Sequence, residues 1–179
     1  MKIIDPTVEV VKMEIEIIKV EQTDELLKMT LQHCWGAKGN LPKRKLFACS
    51  DSINEIPEYW AFCHAPRSVA AQLRTHEKKH GMYFWMGTGR EDRPDAIPGE
   101  YSRKQIVPFV LKLTARAIKE ISHYRMCMKA EQPTREFMNL FKEKLAEIEL
   151  ELAKQMMPMC QFRGGICTEL NSCKKERKD

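Results

Sequence analysis

No stretch of this chain is apolar for long enough to span a bilayer, so no transmembrane helix and no membrane partner are expected. The opening MKIIDPTVEV lacks a basic segment followed by an apolar core, so no secretory signal is expected either. No internal repeat or low-complexity segment interrupts the 179 residues, a length that suggests one domain or at most two small ones. Neither sign of charge dominates. The net charge is +5 and, apart from the tail Lys174-Lys175-Glu176-Arg177-Lys178, it is spread along the chain. An excess that mild suits an anionic small ligand as well as it suits nucleic acid, and does not choose between them. What is present, 43% hydrophobic and 31% charged residues, is ordinary for a soluble globular domain with a core.

The seven cysteines are Cys34, Cys49, Cys63, Cys127, Cys160, Cys167 and Cys173. An odd number without a secretion signal predicts a reducing, cytoplasmic setting, with free thiols or a metal and not a disulfide framework. Cys160, Cys167 and Cys173 stand within fourteen residues, at spacings of x6 and x5. Zinc ribbons favour pairs of Cys two residues apart, and this is not that pattern. Three soft ligands in a Gly-bearing loop, with Cys127 as a fourth, could still hold zinc or an iron–sulfur cluster. The alternative is small buried hydrophobes or exposed thiols. Cys34, Cys49 and Cys63 read as core residues.

Val8 to Val20 reads as a strand with one buried face, because Met13, Ile15 and Ile17 alternate with Glu14 and Glu16. TDELLKMTLQHCW reads as a helix with Thr23 as N-cap and acids in its first turn. GAKGNLPKRK is a loop. SINEIPEYWAFCHAPRSVAAQLRTHEKK predicts two short helices broken near Pro66, with Ser52 and Glu55 at capping-box spacing. In the second helix Val69, Leu73 and His76 share a face. MYFWMGTG reads as a strand running into a turn, and REDRPDAIPGEYSRK as a polar loop. SRKQIVPFVLKLTARAIKEISHYRMCMKA predicts a long amphipathic helix with Pro108 near its first turns. PTREFMNLFKEKLAEIELELAKQMMP predicts another, with Pro133 at the first helical position. The expected architecture is α+β, a small mostly antiparallel sheet packed against several helices. Residues 1–157 form one domain in this reading, and 158–179 a Cys-bearing C-terminal tail.

RTHEKKHG, Arg74 to Gly81, contains H-E-x-x-H. On a helix this spacing sets two imidazoles and a glutamate together, as in zinc peptidases. Against that reading, Lys78 and Lys79 would place two ammonium groups beside a dication, and Gly81 ends the helix at once. The residues also read as a solvated helix C-terminus, where Lys78, Lys79 and His80 complement the dipole.

The wider window PRSVAAQLRTHEKKHGMYFWMGTGREDRP offers another account. A helix starting at Arg67 brings Gln72, Arg74 and His76 to one place. Thr88, Gly89, Arg90 and Arg93 then supply a hydroxyl, a glycine and two guanidiniums, a suitable cradle for phosphate. Tyr83, Phe84 and Trp85 would either line a pocket for a flat ring or belong to the core.

These residues resemble the flavin-dependent thymidylate synthases. That family carries a helix R-x-x-x-x-Q-L-x-R-H-R, a turn, and S-x-R-Y. Arg67, Gln72, Leu73 and His76 match the helix pattern, and Thr88-Gly89-Arg90 stands near where S-x-R is expected. EIEIIKVEQTDELLKMTLQHCW is similar to the family's opening strand and its helix ending in Cys. ISHYRMC and TREFMNLFKEKLAEIE are similar to its Arg-bearing helix pair. There Arg135 matches the Arg of an N-x-R segment, while Lys144 replaces the later Arg. The likeness spans most of residues 13–155.

The resemblance implies a thymidylate-synthase-complementing-protein-like fold and a homotetramer with active sites between chains. It implies FAD as cofactor and a deoxyuridine-type monophosphate as substrate. The methyl group would come from reduced flavin and methylenetetrahydrofolate, with NADPH as a further co-substrate, and no specific nucleic acid is expected. No Cys or Ser attacks the pyrimidine in that family; the protein positions and polarises. Carried over, Gln72, His76 and Arg135 are the catalytic set. Arg67, Arg74, His76 and Arg135 hold the cofactor, and Thr88, Gly89, Arg90 and Arg93 bind the substrate.

The chain departs from the pattern where Thr75 and Glu77 replace the two Arg of R-H-R. Both changes remove donors for anionic groups. A short, divergent form of this kind looks like a phage or prophage enzyme. Two other readings remain open, a nucleotide-binding protein on the same scaffold without thymidylate synthase activity, and a zinc hydrolase using His76, Glu77 and His80.

Overall fold

Alternating burial builds the sheet. The structure, a computed structural model, describes residues 13–35, 41–48, 52–79, 81–86, 103–167 and 172. Among them four strands form one antiparallel sheet: β1 (Glu14–Lys19), β2 (Glu58–Pro66), β3 (Tyr83–Met86) and β4 (Ile106–Thr114), in the order β1-β2-β4-β3. Tyr59, Ala61, Cys63 and Ala65 of β2 stand opposite Leu113, Leu111, Phe109 and Val107 of β4, and all eight are buried. The residues between them point to the other face, where Trp60 stacks on Trp85 at 5.5 Å.

Seven helices accompany the sheet among the described residues: α1 (Thr23–Trp35), α2 (Lys43–Ala48), α3 (Arg67–Arg74), α4 (Ala115–Arg125), α5 (Gln132–Ile148), α6 (Leu150–Ala153) and α7 (Met159–Phe162). The core lies between the sheet and α3, α4 and α5. Phe109 of β4 meets Phe84 of β3 and Phe137 of α5, and Val69, Ala70 and Leu73 of α3 are buried in the same cluster. The α+β class with a small antiparallel sheet is the architecture expected from the sequence. No described helix is long and apolar enough to cross a membrane.

Four expectations need correction. The segment predicted as a long helix from Ser102 to Ala130 holds the central strand β4 and then α4. Apolar residues at 106, 107, 109, 110, 111 and 113 fit a period of 3.6 as well as one of 2, and sheet pairing on both sides selects the strand. Pro108 stands opposite His64, just beyond the last described β3 pair, Met86–Phe109, where the ladder tolerates it. Thr114 ends the strand and caps α4, its Oγ1 accepting from the Ala117 amide at 3.2 Å.

The first of the two helices expected around Pro66 is instead a 3-10 turn, Ser52–Glu55, followed by β2; the second is α3. The loop GAKGNLPKRK also gives way to α2 at Lys43, where the Pro42 carbonyl accepts the amides of Lys45 and Leu46. α5 carries Pro133 in its first turn, one place after the first helical position expected for it, and it stops at Ile148. Glu149, at φ −147 and ψ 73, breaks the helix. The residue is only 4% exposed, and its carboxylate reaches Lys19 at 2.8 Å and Lys43 at 2.9 Å.

Candidate functional site

α3 follows β2 directly, so its position is set by the sheet. Its first amides are already occupied: Arg67 N–H donates to the Gln105 carbonyl at 2.8 Å, and Ser68 N–H to that of Arg103 at 3.1 Å. Val69, Ala70 and Leu73 face the core. The opposite side presents Arg67, Ser68, Gln72 and Thr75 to a cleft.

The helix ends at Arg74, and the H-E-x-x-H residues described, His76 to Lys79, lie in turns. Lys78 has φ 66, and its amide turns back to the Met82 carbonyl at 2.8 Å. Gly81 has φ 78, and a Cβ there would stand 2.5 Å from Cγ2 of Thr114. The helical zinc-peptidase geometry is therefore overturned. His80 lies outside the described residues, and Glu77 pairs with Arg74 at 3.7 Å. Arg74 is largely exposed and lines neither cavity of the cleft.

Across from α3 stands Arg125, the last residue of α4. It donates through Nε to Nε2 of His76 at 3.0 Å, through Nη1 to Oε1 of Gln72 at 2.6 Å, and through Nη2 to Oγ1 of Thr75 at 2.8 Å. The Thr75 hydroxyl in turn donates to the Gln72 backbone carbonyl at 2.8 Å. Because His76 accepts at Nε2, the neutral tautomer carries its proton on Nδ1. Burial, then the Arg125 guanidinium and the Lys79 ammonium, lower the His76 pKa to about 4. At neutral pH the imidazole is uncharged, with Tyr124 beside it at 5.9 Å between ring centres.

The Thr75–Arg125 pair separates two cavities. One, of about 420 Å3, is lined by Arg67, Ser68, Gln72 and Arg103 besides the pair, a donor set suited to an anion. Arg103 is also paired with Glu131 at 2.7 Å. The other, of about 540 Å3, is lined by His76, Lys79, Glu120 and Tyr124 and is more aromatic.

The structure thus gathers Arg67, Gln72 and His76, three of the residues singled out from sequence. Arg135 sits apart, its Nη1 donating to the carbonyls of Met128 at 2.7 Å and Ala130 at 2.5 Å, where it holds the turn between α4 and α5. Thr88, Gly89, Arg90 and Arg93 lie outside the described residues. Cys127, Cys160 and Cys167 line one cavity, but no three described His, Cys, Asp or Glu residues form a group that could hold a metal ion; Cys173 lies outside the described residues. Sequence reasoning missed Arg125 as a site residue. Its signal was the Arg-bearing helix ISHYRMC, without a partner to give it a role.

No family model matches the chain, and no curated protein matches its sequence. Solved structures do match. Thymidylate Synthase X (ThyX) from Helicobacter pylori, solved with FAD and dUMP, is 10% identical, with a TM-score of 0.62 over 81% of this chain and 97% of that one. The UMP/dUMP methylase PolB from Streptomyces cacaoi, bound with 5-Br dUMP, is 11% identical, with a TM-score of 0.61 over 80% and 94%. The fold is that of thymidylate synthase X. At these identities the likeness is one of backbone, and the chemistry has to be argued from the side chains.

Proposed function

We propose that this chain binds a deoxyuridine-type monophosphate and a flavin in the cleft between α3 and α4, and transfers a one-carbon group to the pyrimidine. The observation that carries the reading is the convergence of Arg125, His76 and Gln72 on a backbone like those of two proteins solved with dUMP or its bromo derivative. The donor chemistry fits such ligands. Guanidiniums of Arg67, Arg103 and Arg125 match phosphate oxygens, and Ser68 and Thr75 add hydroxyls.

Arg67 and Gln72 would hold the flavin from the α3 side, with Arg74 and Arg135 at its periphery. Thr88, Gly89, Arg90 and Arg93 would add substrate contacts. A flavin held there would, when reduced, supply reducing equivalents to a carbon brought by methylenetetrahydrofolate, with NADPH as the outside reductant. His76, neutral and protonated on Nδ1, presents a hydrogen-bond donor without a charge. It orients the base and polarises a carbonyl, while Arg125 keeps that tautomer fixed. Assembly as a homotetramer would close the cleft from a neighbouring chain.

A second reading, nucleotide binding without thymidylate chemistry, is favoured by one observation: Thr75 and Glu77 replace the arginines of R-H-R, and three of the five N–H donors of Arg125 are already engaged by His76, Gln72 and Thr75. Titration calorimetry with deoxyuridylate and FAD, together with the visible spectrum of the purified protein, separates the two. Flavin absorbance and deoxyuridylate binding that falls at least tenfold in Arg67→Ala support catalysis. Nucleotide binding by a colourless protein that gains nothing from added FAD supports the second reading. Failure to bind any pyrimidine nucleotide sinks both.

A further inference from the structure

A third cavity, of about 320 Å3, lies between the end of α4, the turn after it and α7. It is lined by Cys127, Cys160 and Cys167, all half-buried, together with Lys129 and Arg163. None of its described lining residues is acidic. The elements that frame it are already docked. Nδ1 of His123 donates to the Met157 carbonyl at 3.0 Å, and its ring packs on Phe162 of α7 at 4.7 Å. Cys160 sits within α7 and Cys127 within the turn that follows α4, so a bond between them would join two elements that already touch. The other described cysteines, Cys63 and Cys34, have different surroundings. Cys63 is enclosed by the sheet, and burial pushes its thiol up to about 12. Cys34, expected in the core, is instead exposed on α1.

We propose that this cavity is a thiol–disulfide exchange site for an anionic low-molecular-weight disulfide, with Cys127 and Cys160 as the pair that closes. Lys129 and Arg163 draw the anionic reagent in, and the cavity holds it against the thiols. One protein thiol loses its proton to solvent and attacks a sulfur of the reagent. The reagent's S–S bond breaks, a mixed disulfide forms, and the first small thiolate leaves and is protonated. The second protein thiol, likewise deprotonated, attacks the protein sulfur of the mixed disulfide and releases the second small thiol. Two protein thiols are oxidised to one disulfide, and the reagent is reduced to two thiols. The bridge would tie α7 to the end of α4.

The test uses the full chain, oxidised in parallel with glutathione disulfide, which is anionic, and with cystamine, which is cationic. Free thiols are then alkylated and the digest is mapped by mass. A Cys127–Cys160 peptide, formed several-fold faster with glutathione disulfide, is the expected result. The difference should shrink at high salt and reverse in Lys129→Glu/Arg163→Glu. The melting temperature should rise on oxidation of the native chain and not of Cys160→Ser. Modification confined to Cys34, a Cys160–Cys167 bridge in place of the proposed one, or equal rates with both reagents would each overturn the proposal.

Discussion

Nε of Arg125, at the end of α4, donates to Nε2 of His76, just beyond the end of α3, at 3.0 Å. The bond can exist only while that ring nitrogen carries no proton. Its consequence is an imidazole whose pKa is lowered to about 4 from 6.5, through burial first and then the charges of Arg125 and Lys79.

The folded state therefore binds fewer protons at His76 than the unfolded chain does between pH 6.5 and about 4. His76 contributes stability that is fully present above pH 6.5 and is lost as pH falls through that window. Denaturant midpoints of the native chain and of His76→Gln should converge on acidification. The imidazole NMR resonances of His76 should stay those of a neutral ring to about pH 4. In Arg125→Met the midpoint of that titration should move up. A ring that titrates near 6.5 in the native protein contradicts the Arg125 contact.

Glu149 joins Lys19 and Lys43, which both also reach Asp24, at 2.6 and 3.3 Å. Replacing Glu149 with Gln should lower unfolding stability by about 1–3 kcal/mol, the scale for charged hydrogen bonds at a buried group. The network also has a signature in pH. Burial opposes the ionised form of Asp24, but Lys19 and Lys43 outweigh it and hold its pKa below 3.8. Its contribution is present above pH 3.8 and lost as pH falls through the lower folded value. Burial likewise opposes the charge on Lys43, while Glu149 and Asp24 raise its pKa above 10.5. That contribution is present below pH 10.5 and lost as pH rises through the raised value. Urea midpoints across both limbs, native against Glu149→Gln, check this; parallel curves at high pH would remove Glu149 from the account.

Gly81 combines a left-handed backbone with a close approach to the Thr114 methyl. Gly81→Ala should cost about 2 kcal/mol or more, from backbone strain and overpacking together. In the Thr114→Ser background that methyl is absent, so the same substitution should cost less. Purely additive losses in the double-mutant cycle would assign the whole effect to the backbone.

Tyr59 is fully buried in β2, and its hydroxyl has no hydrogen-bond partner among the described residues. Burial, then Glu149 and Asp24, raise its pKa and keep it neutral. Removing an unsatisfied hydroxyl relieves its desolvation cost, so Tyr59→Phe should be neutral or stabilising by up to about 1 kcal/mol. Thermal unfolding decides this, and a clear loss of stability would reveal a partner for the hydroxyl.

The sequence by itself determined the parts whose signals are local. The alternation around Ile15 places β1 on the core, the acids after Thr23 start α1, and Pro133 opens α5. Arg67, Gln72 and His76 were legible as a group because helical spacing in α3 and the turn after it hold them near one another whatever surrounds them. The tertiary structure decided the rest. β2 and β4 read as helices because their apolar content fits both periods, and only pairing between strands dozens of residues apart distinguishes them. The H-E-x-x-H segment leaves the helix after Arg74, and the positive φ of Lys78 and Gly81 carries the chain through turns into β3, which pairs with β4, again a partner distant in sequence. Arg125 is the sharpest case. It stands about fifty residues from His76, Thr75 and Gln72, and becomes their common donor only because β4 and α4 fold back beside α3. A residue's own sequence neighbourhood can specify its helix and its face, but not which distant side chain will meet it there.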